Sequence, residues 1–204
     1  MAHADIERLE GELDAADRDA EALVAGLSED QGAWRAAADA WSISECLDHL
    51  ATANRVYLRA MEGAAARATD QGKRRRGAAE PGLIGKWFVS MLEPPARAPY
   101  KQRAPQIIRP RSSPGLADAS AAFRASQQDV RAFLRAYAEI DLAGVRFPNP
   151  FLRGVRFSLA TGLHAITAHE RRHLWQAWRV RQLCGMKPNG PFERPTDPDS
   201  NAIS

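Results

Sequence analysis

Apolar residues recur at spacings of three and four along four long stretches of this chain. The first stretch carries Ile6, Leu9, Leu13, Ala16, Ala20, Leu23 and Leu27. That is one stripe of an amphipathic helix whose other faces hold Asp, Glu and Arg. The second carries Ile43, Leu47, Leu50, Tyr57, Leu58 and Met61, with a parallel row of smaller residues at Cys46, His49, Ala53 and Val56. Its start is marked by Ser42-Ile43-Ser44-Glu45. In that pattern the serine hydroxyl accepts from the glutamate amide and the glutamate carboxylate reaches back to the serine amide. The third stretch runs through Leu116, Ala119, Phe123, Ser126, Val130, Phe133 and Tyr137 and ends near Ile140. The fourth spans about Ser158 to Cys184, with Gly162, Ile166, His169, His173, Gln176, Val180 and Leu183 on its inward seam. Gly185 is placed to end this helix in a left-handed turn, with Pro188 beyond it.

The connections differ in kind. Residues 28–41 read as a link, and residues 141–157, with two glycines and two prolines, as an irregular one; a brief strand at Val145–Phe147 is the lesser alternative. After Thr69 the helical spacing fails. A charged run from Gly72 to Gly77 follows, then LIGKWFVSML at 83–92 as a short helix or flap, then six prolines between Pro94 and Pro114. Trp87, Phe88 and Tyr100 predict that part of this stretch folds down on the body. The pattern predicts an all-α protein: a four-helix bundle over residues 1–185, with a long crossover between its second and third helices at 68–114, and a loose tail at 186–204.

Composition adds three points. No stretch approaches the length of a membrane span, and the N-terminus shows no basic-then-apolar leader. Two cysteines, Cys46 and Cys184, make no disulfide framework, so a reducing cytoplasm is expected. The net charge is +3, but residues 72–111 hold ten Lys or Arg against two Glu, a local +8. Such a run can recruit an anionic partner. No nucleic-acid-binding fold accompanies it, so solvation is the expected state and nucleic acid is not an expected partner.

The chain has five histidines. His169 and His173 lie four apart in HERRH, neighbours on one helix face that can reach a common ion. His49 lies on the second helix at the edge of its buried face. His164 faces away from His173, and His3 sits at a terminus. His49, His169 and His173 therefore make a three-nitrogen site with open positions for water or substrate. Gln176, one turn on, is placed to support it. Glu170 is the candidate general base at the site's edge, with a solvated surface carboxylate as the alternative. Glu45 reads as a cap.

Two segments, Trp41-Ser-Ile-Ser-Glu-Cys-Leu-Asp-His49-Leu50 and His169-Glu-Arg-Arg-His173-Leu-Trp-Gln176, resemble the DinB-like family of metal-binding four-helix bundles. The likeness covers roughly residues 4–185. It implies ligation of a divalent metal (Zn, Ni or Fe) by His49, His169 and His173. It also implies kinship with thiol-dependent transferases and isomerases, so the expected partner is a small-molecule substrate, with a low-molecular-weight thiol as one form. Beside a plain bundle without a ligand, whose buried histidines are hydrogen-bonded only, three functional readings follow. One is a metal-dependent transferase or hydrolase. A second is a non-enzymatic stress-response or binding module with a structural metal and a basic crossover. The third takes HERRH as the metalloprotease motif H-E-x-x-H, but no downstream histidine and no convincing edge strand support it. Pairing of two copies through a bundle face is compatible with all three.

Overall fold

A computed structural model describes residues 3–95 and 104–185; Tyr100 and the expected tail at 186–204 lie outside the described residues. The four long helices are α1 (Ala4–Val24), α3 (Ile43–Asp70), α5 (Leu116–Tyr137) and α6 (Leu159–Leu183). Two short ones, α2 (Glu29–Ala33) and α4 (Leu83–Leu92), lie in the links, together with a 3₁₀ turn at Gln106–Ile108. Ser42 and Glu45 form the expected reciprocal cap on α3. Ser158 caps α6, its hydroxyl accepting from the Thr161 amide. Ser28 and Gln31 make a second reciprocal cap, on α2, which lies in the link at 28–41. Five residues without an apolar stripe leave no periodicity to read.

The core falls into two apolar halves. One holds Leu9, Leu13, Met61, Leu134, Phe147 and Ile166. The other holds Leu23, Leu47, Leu50, Phe123, Leu174 and Trp178. The N-terminal halves of α3 and α5 share the second region with the C-terminal halves of α1 and α6. Hence α3 and α5 run the same way, and α1 and α6 run against them. Parallel neighbours cannot be joined by a tight turn. The chain must travel back along α3, whose 28 residues span about 42 Å. That geometric need explains the long crossover.

The crossover is anchored at both ends. Gly72, at φ +62°, closes α3 with the Lys73 amide bonded to the Ala68 carbonyl and its own amide to that of Thr69. Arg75 donates through Nη2 to both carboxylate oxygens of Asp5, at 2.6 Å, and Ala79 donates its amide to the same group. Further on, α4 packs on α6 and seats Phe88 against Phe157, ring centroids 4.6 Å apart. Trp87, expected to fold inward, stands 64% exposed, because α4 turns Phe88, Val89 and Leu92 to the core instead.

Two sequence expectations are corrected. The link at 141–157 contains a two-stranded antiparallel hairpin, β1 (Arg146–Pro148) and β2 (Arg156–Ser158), with Phe147 opposite Phe157 and both buried. Three-residue strands are too short to show alternation. Leu183 is 68% exposed and not on the inward seam. The last turn of α6 faces inward through Val180 and Arg181, and the Arg181 guanidinium caps α1 by donating to the carbonyls of Ala22, Leu23 and Ala25.

Two predictions follow from this packing. Gly162 lies where α6, α3 and the hairpin meet; a Cβ there would run into Met61 Sδ and come within 3.0 Å of the Phe147 ring. Gly162→Ala would gain helix propensity of about 1 kcal/mol. Overpacking outweighs it, and urea denaturation should show a net loss of about 1–2 kcal/mol; a stabilised variant would contradict this packing. Burial pushes the Asp5 carboxyl up, but the hydrogen bonds from Arg75 and Ala79 and the Arg75 charge outweigh it and hold it at about 2. The unfolded chain, with Asp near 3.9, then binds this proton more tightly than the folded one. The contribution, about 2 kcal/mol, is whole above pH ~4 and is lost as pH falls through about 2. Asp5→Asn should remove that acid-sensitive part of the stability curve and leave the variant less stable at neutral pH.

Candidate metal centre

His49 stands in a stretch of α3, residues 43–51, in which every residue is buried. It is itself 1% exposed. Its ring meets those of His169 and His173 on α6 in a near-regular triangle, with centroid separations of 4.9, 4.5 and 4.6 Å. One ligand nitrogen from each ring lies within 4.8 Å of the other two. His49 Nε2 and His169 Nε2 are 3.2 Å apart. Zinc–nitrogen bonds of 2.0–2.1 Å at tetrahedral angles put neighbouring nitrogens roughly 3.3 Å apart, so this separation suits a shared ion.

The protonation state also fits. Burial pulls His49 down to about 4, against small opposing contributions from the Ile108 carbonyl and the Asp48 charge. Burial, reinforced by the neighbouring imidazoles, pulls His169 and His173 well below the ordinary range. Neutral rings are what a metal requires. His173 Nδ1 is buried with no hydrogen-bond partner, a cost that a ligand role would relieve. His49 is buried, and His169 and His173 are half-buried as residues.

Neighbouring groups hold the rings. His49 Nδ1 lies 2.5 Å from the Ile108 carbonyl oxygen, so Nδ1 carries the proton and Nε2 presents its lone pair to the other rings. Asp48, 3% exposed, accepts from the Arg111 amide at 2.8 Å and from Arg111 Nε at 2.7 Å. Consecutive residues of α3 thus grip the 108–111 segment of the crossover. Trp41, just before the α3 cap, lays its ring against His49 and His173 at centroid distances of 4.6 and 5.5 Å. Glu45 serves as the cap and pairs with Arg35 at 2.9 Å. Gln176 is half-buried one turn beyond His173 on α6. His164 bonds the Ala79 carbonyl at 3.0 Å and His3 approaches Glu139, so neither joins the cluster.

Glu170 is neither solvated nor at the rim. It is fully buried at the boundary between the two core halves, where Asn54 Nδ2 donates to it at 2.7 Å and Gln127 Nε2 at 3.2 Å. Burial raises its carboxyl to about 8 despite these bonds, so it is largely protonated at neutral pH. The seam spacing put the histidines inward and the residue between them outward. In fact α6 is buried on more than one side, and residues 159–163 and 165–168 are all covered.

Sequence reasoning missed Asp48, Ile108 and Arg111 as supports, and Asn54 and Gln127 as partners of Glu170. Asp48 carried a signal: a carboxylate inside an otherwise inward stretch. Ile108 carried none, because it acts through its main chain.

Glu170→Ala should cost about 2–4 kcal/mol, since it strands two buried amides and opens a cavity. Glu170→Gln should cost much less, because a reoriented amide at 127 can accept from the new one. Equal losses by denaturant titration would show that the hydrogen-bonded layer does not stabilise the fold.

Among the comparisons with known proteins, the pattern defining the DinB superfamily matches residues 12–177. Neither the curated proteins nor the solved structures gave a match. The matched span takes in α3 and α5 whole, most of α1 and α6, and all three histidines of the triangle, and the chain belongs to the DinB superfamily.

Proposed function

We propose that this chain is a metal-dependent enzyme for a small-molecule substrate, of transferase type with a low-molecular-weight thiol or of hydrolase type. The observation that carries the reading is the imidazole triangle, which offers three protein ligands and, among the described residues, no fourth. Closed structural zinc sites use four protein ligands, whereas catalytic ones keep a position free. His49, His169 and His173 would hold Zn, Ni or ferrous Fe, all of which suit imidazole. The bound ion would supply a Lewis acid that lowers the pKa of a water or thiol toward neutrality.

The chain's own residues prepare that chemistry. The Ile108 carbonyl fixes the His49 tautomer and ring plane. The Asp48–Arg111 contacts keep that carbonyl in place. Trp41 walls one side of the triangle and limits water there. Glu170 is not proposed as general base: its carboxyl is enclosed by Asn54 and Gln127 and carries a proton near neutrality. This weighs against the metalloprotease reading, as does the shortness of the described sheet, two strands of three residues each. The binding-module reading relied on the charge of the crossover. Two of its arginines, Arg75 and Arg111, are committed to carboxylates of the bundle.

Elemental analysis of protein purified without a polyhistidine tag should find about one divalent ion per chain, as one three-histidine site predicts. His49→Ala, His169→Ala and His173→Ala should each abolish retention. Arg111→Ala, which only loosens the support of His49, should weaken metal affinity by roughly 10–100-fold. Undiminished metal in the three histidine variants would sink the site. If the loaded protein turns over neither thiols with electrophilic acceptors nor esters and amides, the enzymatic reading fails while the metal site stands.

A further inference from the structure

At the other end of the bundle, about 22–28 Å along α3 from His49 by helical rise, lies a cleft of about 190 Å³. Arg67 from the last turns of α3, Lys73 just beyond it, Arg146 of β1 and Arg156 of β2 line it, with Gln71 beside them. The side chains of Ala64, Ala68 and Val145 complete the wall, and no carboxylate lines it. We propose that this cleft binds the phosphate group of a small phosphorylated molecule. The proposal does not rest on the metal centre.

Three observations carry it. First, the four cations come from separate segments, and the frame that joins those segments is rigid. The Lys73 carbonyl accepts from the Asp141 amide and the Arg75 amide bonds to the Glu139 carbonyl, tying the end of α3 to the approach to the hairpin. Second, the cations are uncompensated. Elsewhere Arg8, Arg131 and Arg171 find carboxylates, but among the described residues none of these four forms an ion pair. Third, Arg146 and Arg156 project from the same face of the hairpin, the one opposite the buried Phe147 and Phe157. They are diagonal neighbours on that face, with Arg156 Nη2 donating to the Arg146 carbonyl at 3.0 Å, and a shared anion would offset the repulsion of two like charges so placed.

The end of α3 accounts for only part of the cluster. A cation in a last helical turn complements the macrodipole, which suits Arg67. Arg146 and Arg156 belong to the hairpin and gain nothing from that. Three guanidinium forks and an ammonium exceed what one carboxylate can use, whereas a phosphate or diphosphate offers enough oxygens and charge. A water occupies about 30 Å³ in the liquid, so the cleft has room for a diphosphate and not merely a halide. The cleft is short, and no aromatic side chain lines it for base stacking, which favours a small molecule over a single-stranded nucleic acid.

The test is calorimetric titration of the full chain with inorganic pyrophosphate, before and after chelator stripping. Stripping separates an anion held on the metal from one held in the cleft. Saturable binding should persist in stripped protein. Arg146→Glu and Arg156→Glu should each weaken it about tenfold or more, the loss expected when a charge-assisted bond is replaced by repulsion. Arg18→Glu, an equal charge change on exposed α1, should leave it within about twofold. Circular dichroism and thermal melts of the variants check that the fold is intact. Absence of binding, loss of binding on stripping, or equal weakening by Arg18→Glu would each overturn the proposal. So would an oligonucleotide that binds through Arg146 where pyrophosphate does not.

Discussion

Everything at the candidate metal centre depends on one alignment: α3 and α6 must meet so that His49 faces the gap between His169 and His173. A slip of one residue along either helix rotates its side chains by about 100° and moves them 1.5 Å, which would take a ring out of the triangle. Apolar packing alone is a weak guard against such slips, because Leu, Ile and Ala stripes interdigitate in several registers. The buried layer of Asn54, Ser126, Gln127 and Glu170 is a stronger one. It draws Asn54 from α3, Ser126 and Gln127 from α5 and Glu170 from α6, between two apolar halves, and the hydrogen bonds among them form only in one register. Misalignment would strand several polar groups in the interior, each costing about 1–3 kcal/mol. Such a layer is expensive to bury, which is why its use here as a register device agrees with the few places where buried polarity is known to specify alignment.

The crossover extends the same logic to the second ring nitrogen. Its basic composition suggested a solvated or recruiting segment, yet the described part is stapled to the bundle. Arg75 and Ala79 close on Asp5, and Arg111 closes on Asp48. These ties leave the Ile108 carbonyl where His49 needs an acceptor. The long connection, imposed by two parallel helices, thereby becomes the outer support of the site. Four cations that form no ion pair among the described residues meet instead at the far end, around the hairpin.

Much of this was legible in the sequence because it was periodic or locally punctuated. The stripe from Ile6 to Leu23, the Ser42–Glu45 cap and the Gly185 stop each act within a few residues, and each appears where the letters put it. The three histidines could be grouped because two lay on one helix face and the third on a helix that had to pack nearby. The resemblance to DinB-like proteins added the pairing of those helices. What stayed hidden acts between distant segments through main-chain atoms or short polar side chains. Ile108 contributes a carbonyl, which any residue has. Asn54 and Gln127 meet Glu170 from 116 and 43 residues away. Leu183 was placed inward by extending the seam, but a stripe does not reveal where neighbouring helices end. Arg181, a long cation able to reach the open carbonyls of α1, takes that position.

The HERRH stretch shows why a motif is a statement about rotation and not only about letters. In a metalloprotease helix the glutamate between two histidines has to face the water it deprotonates. Here α6 is covered on several sides, and residue 170, one step of about 100° from His169, points into the contact with α3 and α5 and not toward solvent. The same five residues on a helix covered on one side only would leave that carboxylate wet and ionised. Burial converts it into a proton-bearing hydrogen-bonding partner, and the histidine pair is left to meet an imidazole from another helix. The surroundings of the middle residue, more than its identity, decide which chemistry the motif can support.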